Sequence, residues 1–348
     1  MSARPRIKDV AALAGVAPST VSAVLNDLNS PRAGAGTRER VLEAARSLGY
    51  VPNEIARGLR TRRSMTIALV SDVIATTPYA GQLIQGAQDA AWRAGYLLLL
   101  VNTGGDPVLE ESAIAALRQQ QVAGALYATM FHRVVPVPPS LTGVPLVLLD
   151  ARPDDGAVAS VVPDEVAGAR TAVDELARQG HRRIAFVLDE NDGPAADGRL
   201  AGYHAALRDH GLPDDPRHVV RTTSDSDGGH RAALRLLDLP EPPTGVFAFN
   251  DQMAIGVYRA AADRGLRVPD DLSIVGFDDL AVLAREMVPG LTSVALPHYA
   301  MGELAAQLLL DQVEDRGTPD PAPRLVPCPL VTRGSVGPAP HVAVAGRA

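Results

Sequence analysis

Apolar positions along this chain follow two different rhythms. In residues 7–26, IKDVAALAGVAPSTVSAVLN, they recur at spacings of three and four, which predicts short amphipathic helices. Val10, Leu13 and Ala14 share one face of the first helix. Gly15 then supplies the backbone freedom that a helix end requires. Pro18 opens a second helix, because its φ is already set and its missing N–H is not needed there. Val21, Val24 and Leu25 form that helix's apolar face and leave Ser19, Thr20 and Ser22 pointing outward. After a loop rich in Pro and Gly, Thr37 reads as the N-cap of a third helix. Val41, Leu42, Ala45 and Leu48 are its apolar positions and Gly49 its end. Asn53 then begins the segment EIARGLRTRR, with Ile55, Ala56 and Leu59 on one side. Gly58 weakens this segment as an autonomous helix, so it orders on contact with something else.

From residue 65 the rhythm changes. The runs TIALVS, YLLLLVN, ALYAT and PLVLLD alternate with helical stretches at 82–94 and 110–121. A second set begins at SVVPD and continues through RIAFVLD, VVR, GVFAFN and SIVGFD, with helices at 165–179, 198–210, 229–237 and 252–264. Strands alternating with helices imply mostly parallel sheets with helices on both faces. The expected fold is therefore an all-α helix-turn-helix headpiece followed by an α/β core of two doubly wound parallel-sheet lobes. Later segments (LTSV, a helix at 299–312, RLVPCPLV) cross back to complete the lobes. The expected domains are a headpiece at 1–51, a linker at 52–63, a core at 64–340 and a frayed tail at 341–348. Within the core, the first lobe takes about 64–162 and 292–323, and the second about 163–291 and 324–340.

Charge adds a direction to this picture. Residues 1–63 hold eleven Lys and Arg against five Asp and Glu, a net of +6, whereas the whole chain of 348 residues carries −7. A basic head on an acidic body fits docking of the head on phosphates, and the second helix of such a hairpin is the one that enters a DNA major groove. No apolar run approaches the ~20 residues that a membrane span requires. With no secretory h-region and Cys328 the only cysteine, the reading is a cytoplasmic protein without disulfides, metal or membrane partner. Enzyme signatures are absent too. No GxGxxG follows a strand, and there is no GxxxxGK[ST] or GxSxG. His132, His181, His204, His210, His218 and His230 lack metal-ligand spacing, and no cofactor is expected. His181, at a helix end, reads as a cation suited to the helix dipole.

Four polar residues fall at strand ends or at the following helix starts, where two-lobed α/β folds bind ligands: Asp150, Arg199, Asn250 and Asp278. A carboxylate, guanidinium and amide together suit vicinal hydroxyls. Simple N-capping would explain Asn250 and Asp278 equally well, and a solvated helix position would explain Arg199.

The chain resembles the lactose-repressor/galactose-repressor (LacI/GalR) family over essentially its full length. The resemblance is carried by KDVAALAGV, TVSAVLN, TRERVLEAARSLGYVPN, IARGLR, GRLAGYHAAL, FAFNDQMAIGVYRAA and DLSIVGFDDL, in order. It implies a three-helix DNA-binding headpiece, a hinge helix and a core like that of type I periplasmic sugar-binding proteins. It also implies a homodimer on a palindromic double-stranded DNA operator and a small-molecule effector between the lobes. Carried over, it makes Pro18 and Ser19 base-edge readers and places Thr20, Ser22 and Asn26 near the DNA backbone. Asn53 would begin the hinge helix and Ala56 lie on its DNA-binding side, while Leu59 matches the leucine wedged into the minor groove. For the effector it points to Arg199, Asn250 and Asp278, with Asp150 beside them and Tyr79 as an aromatic facing the cleft. Two departures stand out. Ala17 replaces a usual Ser and Ala23 a usual Arg, which strips the second helix of a cap oxygen and of a long guanine-reaching donor. Residues 221–228 hold no aromatic to stack a purine, which favours a sugar or polyol effector. The alternatives are a sugar-binding protein or a sugar-active enzyme with a vestigial headpiece.

Overall fold

The computed structural model describes residues 5–26, 33–50, 64–74, 77 and 80–340, which fall into two units, Met1–Met65 and Thr66–Ala348. In the first unit, α1 (Ile7–Ala14), α2 (Pro18–Asn26) and α3 (Ala35–Leu48) enclose a small core. Val10, Val21, Val24 and Val41 at its centre are fully buried. Gly15 ends α1 at φ 65°, a left-handed conformation that a side chain would strain, and its N–H reaches back to the carbonyls of Ala11 and Ala12. The first two helices then bend by 101°, the angle of a helix-turn-helix.

Two local expectations for this unit are corrected. Leu13 is 57% exposed, and Ala11 takes its place in the core, because the inward face runs through 10, 11 and 14. The third helix starts at Ala35 with Gly34 as its N-cap. Thr37 lies within the first turn, where its N–H bonds the Gly34 carbonyl at 3.0 Å, because Ala35 and Gly36 continue the helix back past the hydroxyl.

The second unit holds two six-stranded sheets. Its elements in chain order are β1 (Thr66–Ser71), α4 (Ala80–Arg93), β2 (Leu97–Asn102), α5 (Pro107–Gln119), β3 (Ala125–Val135), β4 (Leu146–Pro153) and β5 (Ser160–Pro163). These are followed by α6 (Glu165–Arg178), β6 (Ile184–Asp189), α7 (Pro194–Asp209), β7 (Val219–Thr222), α8 (Ser226–Leu237), β8 (Gly245–Ala248), α9 (Asp251–Asp263) and β9 (Ser273–Asp278). The last are α10 (Ala281–Ala284), β10 (Thr292–Ala295), α11 (His298–Val313), β11 (Arg324–Val326) and β12 (Leu330–Val331). The first sheet has the order β11-β5-β4-β3-β1-β2 and is parallel throughout. The second has the order β12-β10-β9-β8-β6-β7, and only β12 runs antiparallel.

The late segments sort differently from expectation. β10 pairs with β9 in the second sheet, not the first, and β11 pairs with β5 in the first sheet, not the second. Between them α11 packs on α4 in the first lobe. A Cβ at Gly86 would lie 2.0 Å from the Tyr299 carbonyl, and one at Gly302 would lie 2.0 Å from that of Leu83, so glycine lets the two backbones touch. The chain thus passes between lobes after β5, after β10 and after β11, and short strands carry no local signal for which sheet they will join. The core of the second lobe centres on Phe186 and Phe247, stacked at 4.4 Å, with Tyr203 and Phe277 against them.

Candidate functional site

The carboxyl ends of the parallel strands in both sheets face one cavity of about 420 Å³. The first lobe contributes β3 through His132, β4 through Asp150 and the start of α11 through His298. The second contributes the start of α6 through Glu165, α7 through Arg199, the β8–α9 turn through Asn250 and the end of β9 through Asp278. The structure therefore brings together Asp150, Arg199, Asn250 and Asp278, which lie up to 128 positions apart in the chain.

Arg199 is the hub. It is 4% exposed, not a solvated helix residue, and its guanidinium lies over Phe277 at 3.6 Å and Phe249 at 4.3 Å. Its Nε donates to Glu165 Oε2 at 2.8 Å, and Nη1 donates to the Phe249 carbonyl and lies 3.8 Å from Asp278 Oδ1. Burial alone would push the guanidinium down, but Glu165 and Asp278 outweigh it and hold Arg199 charged. Glu165, also buried, is the mirror case. Burial raises its carboxyl, but Arg199 and His132 overcome that and keep it below the usual carboxylate range.

Asp278 is not a helix cap. Leu280 holds the N-cap position of the helix after it, which has no side-chain cap, and the Asp278 backbone sits at φ 104°, a conformation that aims the carboxylate toward Arg199. Burial pushes its carboxyl up more than Arg199 draws it down. Asn250 does cap: its side-chain oxygen accepts the Met253 N–H at 2.7 Å, and its Nδ2 donates to Ser224 Oγ at 2.9 Å. Asp150 also has positive φ, at 54°. Its carboxyl is pushed well up, first by burial and then by Glu165, and its Oδ1 has no hydrogen-bond partner.

Sequence reasoning missed Glu165, His132 and His298. Glu165 directly follows the N-cap Asp164, so it reads as an ordinary first-turn acid until the fold sets it against Arg199. His298 opens α11, and burial lowers its pKa to about 4, so it stays neutral. His181 is corrected as well. It is not a cation on a helix end but a buried ring whose nitrogens meet Thr244 Oγ1 at 2.9 Å and the Gly337 carbonyl at 3.1 Å, and burial pulls its pKa down.

In the first unit, the start of α2 presents Ala17, Pro18 and Ser19 to solvent, with Thr20, Ser22 and Ala23 half-buried behind them. Asn26 ends that helix. Asn53, Ala56, Leu59 and Tyr79 lie outside the described residues, as do the linker and tail expected at 52–63 and 341–348. Among the described residues no group of three or more His, Cys, Asp or Glu is arranged to hold a metal. No single helix there is long and apolar enough to cross a membrane.

A helix-turn-helix unit joined to a two-sheet core with a polar interlobe cleft defines a ligand-responsive DNA-binding regulator of transcription, not an enzyme. Residues 6–53 match the model for bacterial regulatory proteins of the lacI family, and residues 173–336 match a periplasmic binding protein-like domain. The HTH-type transcriptional repressor CytR of Escherichia coli (strain K12) is 34% identical over 333 residues, covering 94% of this chain and 95% of that one. A solved transcriptional regulator CelR–cellobiose complex is 34% identical, with a TM-score of 0.67 over 95% of this chain and 100% of that one. The lac repressor dimer bound to operator and the anti-inducer ONPF is 26% identical, with a TM-score of 0.75 over 96% of this chain and 100% of that one. The chain belongs to the lacI family of bacterial regulatory proteins.

Proposed function

We propose that this protein is a cytoplasmic repressor that binds a palindromic operator as a homodimer and responds to a sugar or polyol held between its lobes. The observation that carries this reading is that one cavity draws its polar groups from both sheets. A ligand there changes the relative free energy of open and closed lobes, and so can bias how two subunits present their headpieces, a coupling of typically 1–3 kcal/mol. Arg199 offers donors and Asp278 accepts from ligand hydroxyls, Asp150 completes the acidic side, and Asn250 holds the turn through its cap. By the family resemblance, Tyr79 is assigned to the effector as an aromatic facing the cleft. On DNA, α2 enters the major groove with Pro18 and Ser19 leading and with Thr20, Ser22 and Asn26 on phosphates. Asn53 and Ala56 belong to the hinge segment, and its Leu59 wedges the minor groove at a few kcal/mol of unstacking shared between two subunits. Because Ala17 and Ala23 offer no long donors, much of the recognition falls to DNA shape and phosphate contacts. The solved lac repressor dimer on its operator and the CelR–cellobiose complex support these partner classes.

The test is selection of binding sites from a random-sequence duplex pool by the full-length protein. An enriched inverted repeat, bound with a steep inverse dependence on salt and lost on deletion of residues 1–65, is the expected result. Binding without an inverted repeat, or unchanged by the deletion, overturns the reading.

A further inference from the structure

The wall of the cleft built by the first lobe holds buried polar atoms with nothing to bond. Along β3 and β4, Ala128 pairs with Leu149 and Arg133 with Ala151, so residues 129–132 bulge opposite Asp150 alone. A bulge re-aims side chains out of a strand's regular alternation. Thr129 fastens this one, with its Oγ1 2.8 Å from the carbonyl oxygens of both Phe131 and Asp150. The bulge and the positive φ of Asp150 bring His132 and Asp150 into the lining of one cavity, where they are 6% and 5% exposed. His132 Nε2 and Asp150 Oδ1 are buried without a hydrogen-bond partner. A buried polar atom is costly to leave unpaired, and the cavity at its side is where a partner enters.

The neighbours define the chemistry of that partner. Glu165 is held ionised by Arg199 and can only accept, so the His132 Nδ1 that faces it at 3.4 Å takes the ring's hydrogen. Nε2 is then an acceptor and requires a donor. The Asp150 carboxyl, pushed well up by burial, keeps its proton and can both donate and accept. Hydroxyls on adjacent carbons meet both needs without bringing charge. A phosphate does not fit. The two arginines lining the cavity are both taken, Arg199 by Glu165 and Arg133 by Asp72, each at 2.8 Å, and Glu165 stays ionised. We propose that His132 is a further specificity-determining residue of the effector site: its Nε2 accepts from one hydroxyl of an uncharged sugar or polyol whose neighbouring hydroxyl bonds Asp150, while the opposite edge meets Arg199 and Asp278. The inference rests on the sugar-or-polyol reading above and narrows it to uncharged ligands that span both walls.

The test is calorimetric titration of the full-length protein with glucose, galactose, mannose, xylose, ribose and sorbitol, and with glucose 6-phosphate and ribose 5-phosphate. At least one uncharged compound should bind, and more tightly than either phosphate. His132→Leu should weaken that compound about tenfold or more, about 1.4 kcal/mol, whereas His132→Gln, which keeps an acceptor near the place of Nε2, should stay within about threefold of the parent. Of the compound's monodeoxy derivatives, one should bind the parent and His132→Leu equally, because it lacks the hydroxyl that His132 reads. His132→Asn, whose side chain reaches only as far as Nδ1, replaces the leucine variant in every comparison if that one does not fold. Altered packing alone would weaken every derivative alike. That pattern, unchanged binding by His132→Leu, equal losses in the leucine and glutamine variants, or a phosphate bound more tightly than the uncharged compounds overturns the inference and leaves the sugar-or-polyol reading standing. Binding by no compound overturns both.

Discussion

Replacing Arg199 by methionine removes the hub of the cleft while keeping most of its volume against Phe277 and Phe249. The variant leaves Glu165, 4% exposed, without the guanidinium that holds it charged at 2.8 Å. Breaking a buried ion pair by deleting one member destabilises by about 3–5 kcal/mol, because the other charge stays buried and uncompensated. A unit of this size loses about 2–4 °C of melting temperature per kcal/mol, so R199M should melt about 6–20 °C below the parent. Adding Glu165→Gln removes the stranded charge, and R199M/E165Q should recover a large share of the loss. The cycle of single and double variants, followed by urea unfolding, should give a coupling of about 2 kcal/mol or more. The pH dependence has a definite sign. In the parent, Glu165 sits below its ordinary range, so its contribution is present above that range and is lost as pH falls through it. In R199M burial has no opposing guanidinium, so Glu165 takes up a proton more readily, and the deficit relative to the parent shrinks as the solution is acidified. A loss under about 1 kcal/mol, no coupling with E165Q, or a deficit that does not change with pH would refute this account.

Three further outcomes follow from other parts of the molecule. Gly202→Ala places a Cβ 2.3 Å from the Val166 carbonyl and should force α6 and α7 apart; a lower urea midpoint, by about 1–3 kcal/mol, is expected, and an unchanged midpoint would show that the helices yield freely. Asp251 accepts from Ser293 Oγ and the Leu280 N–H, both at 2.6 Å, yet burial raises its pKa to about 7. The folded chain therefore holds a proton that the unfolded chain has released, so this residue's contribution to stability falls as pH rises from about 4 to about 7; Asp251→Asn should flatten that slope in urea titrations. Ala23→Arg restores a long donor on α2 and should sharpen base preference in the selected operator, whereas an identical preference would show that this position does not face base edges.

The sequence by itself determined what local physics controls. Spacings of three and four located the headpiece helices, and the left-handed ends at Gly15 and Gly49 were legible because glycine supplies that conformation without strain. Alternating apolar runs and amphipathic stretches announced parallel sheets, and polar residues at strand ends marked the cleft. The motifs, read together, placed the chain in its family. The tertiary structure decided what depends on partners distant in the chain. LTSV and RLV are too short to specify a sheet, and backbone pairing with β9 and β5 assigned them. Leu13 fits a helical face by spacing alone, but the packing of three helices chose Ala11 instead. Glu165 and Arg199 carry no sign of each other in the sequence. Packing of α6 on α7 buries them side by side, and burial converts an ordinary first-turn acid into the partner of the guanidinium at the centre of the cleft. The unpartnered Oδ1 of Asp150 follows from the same burial, since an exposed aspartate is satisfied by water and a buried one requires a partner.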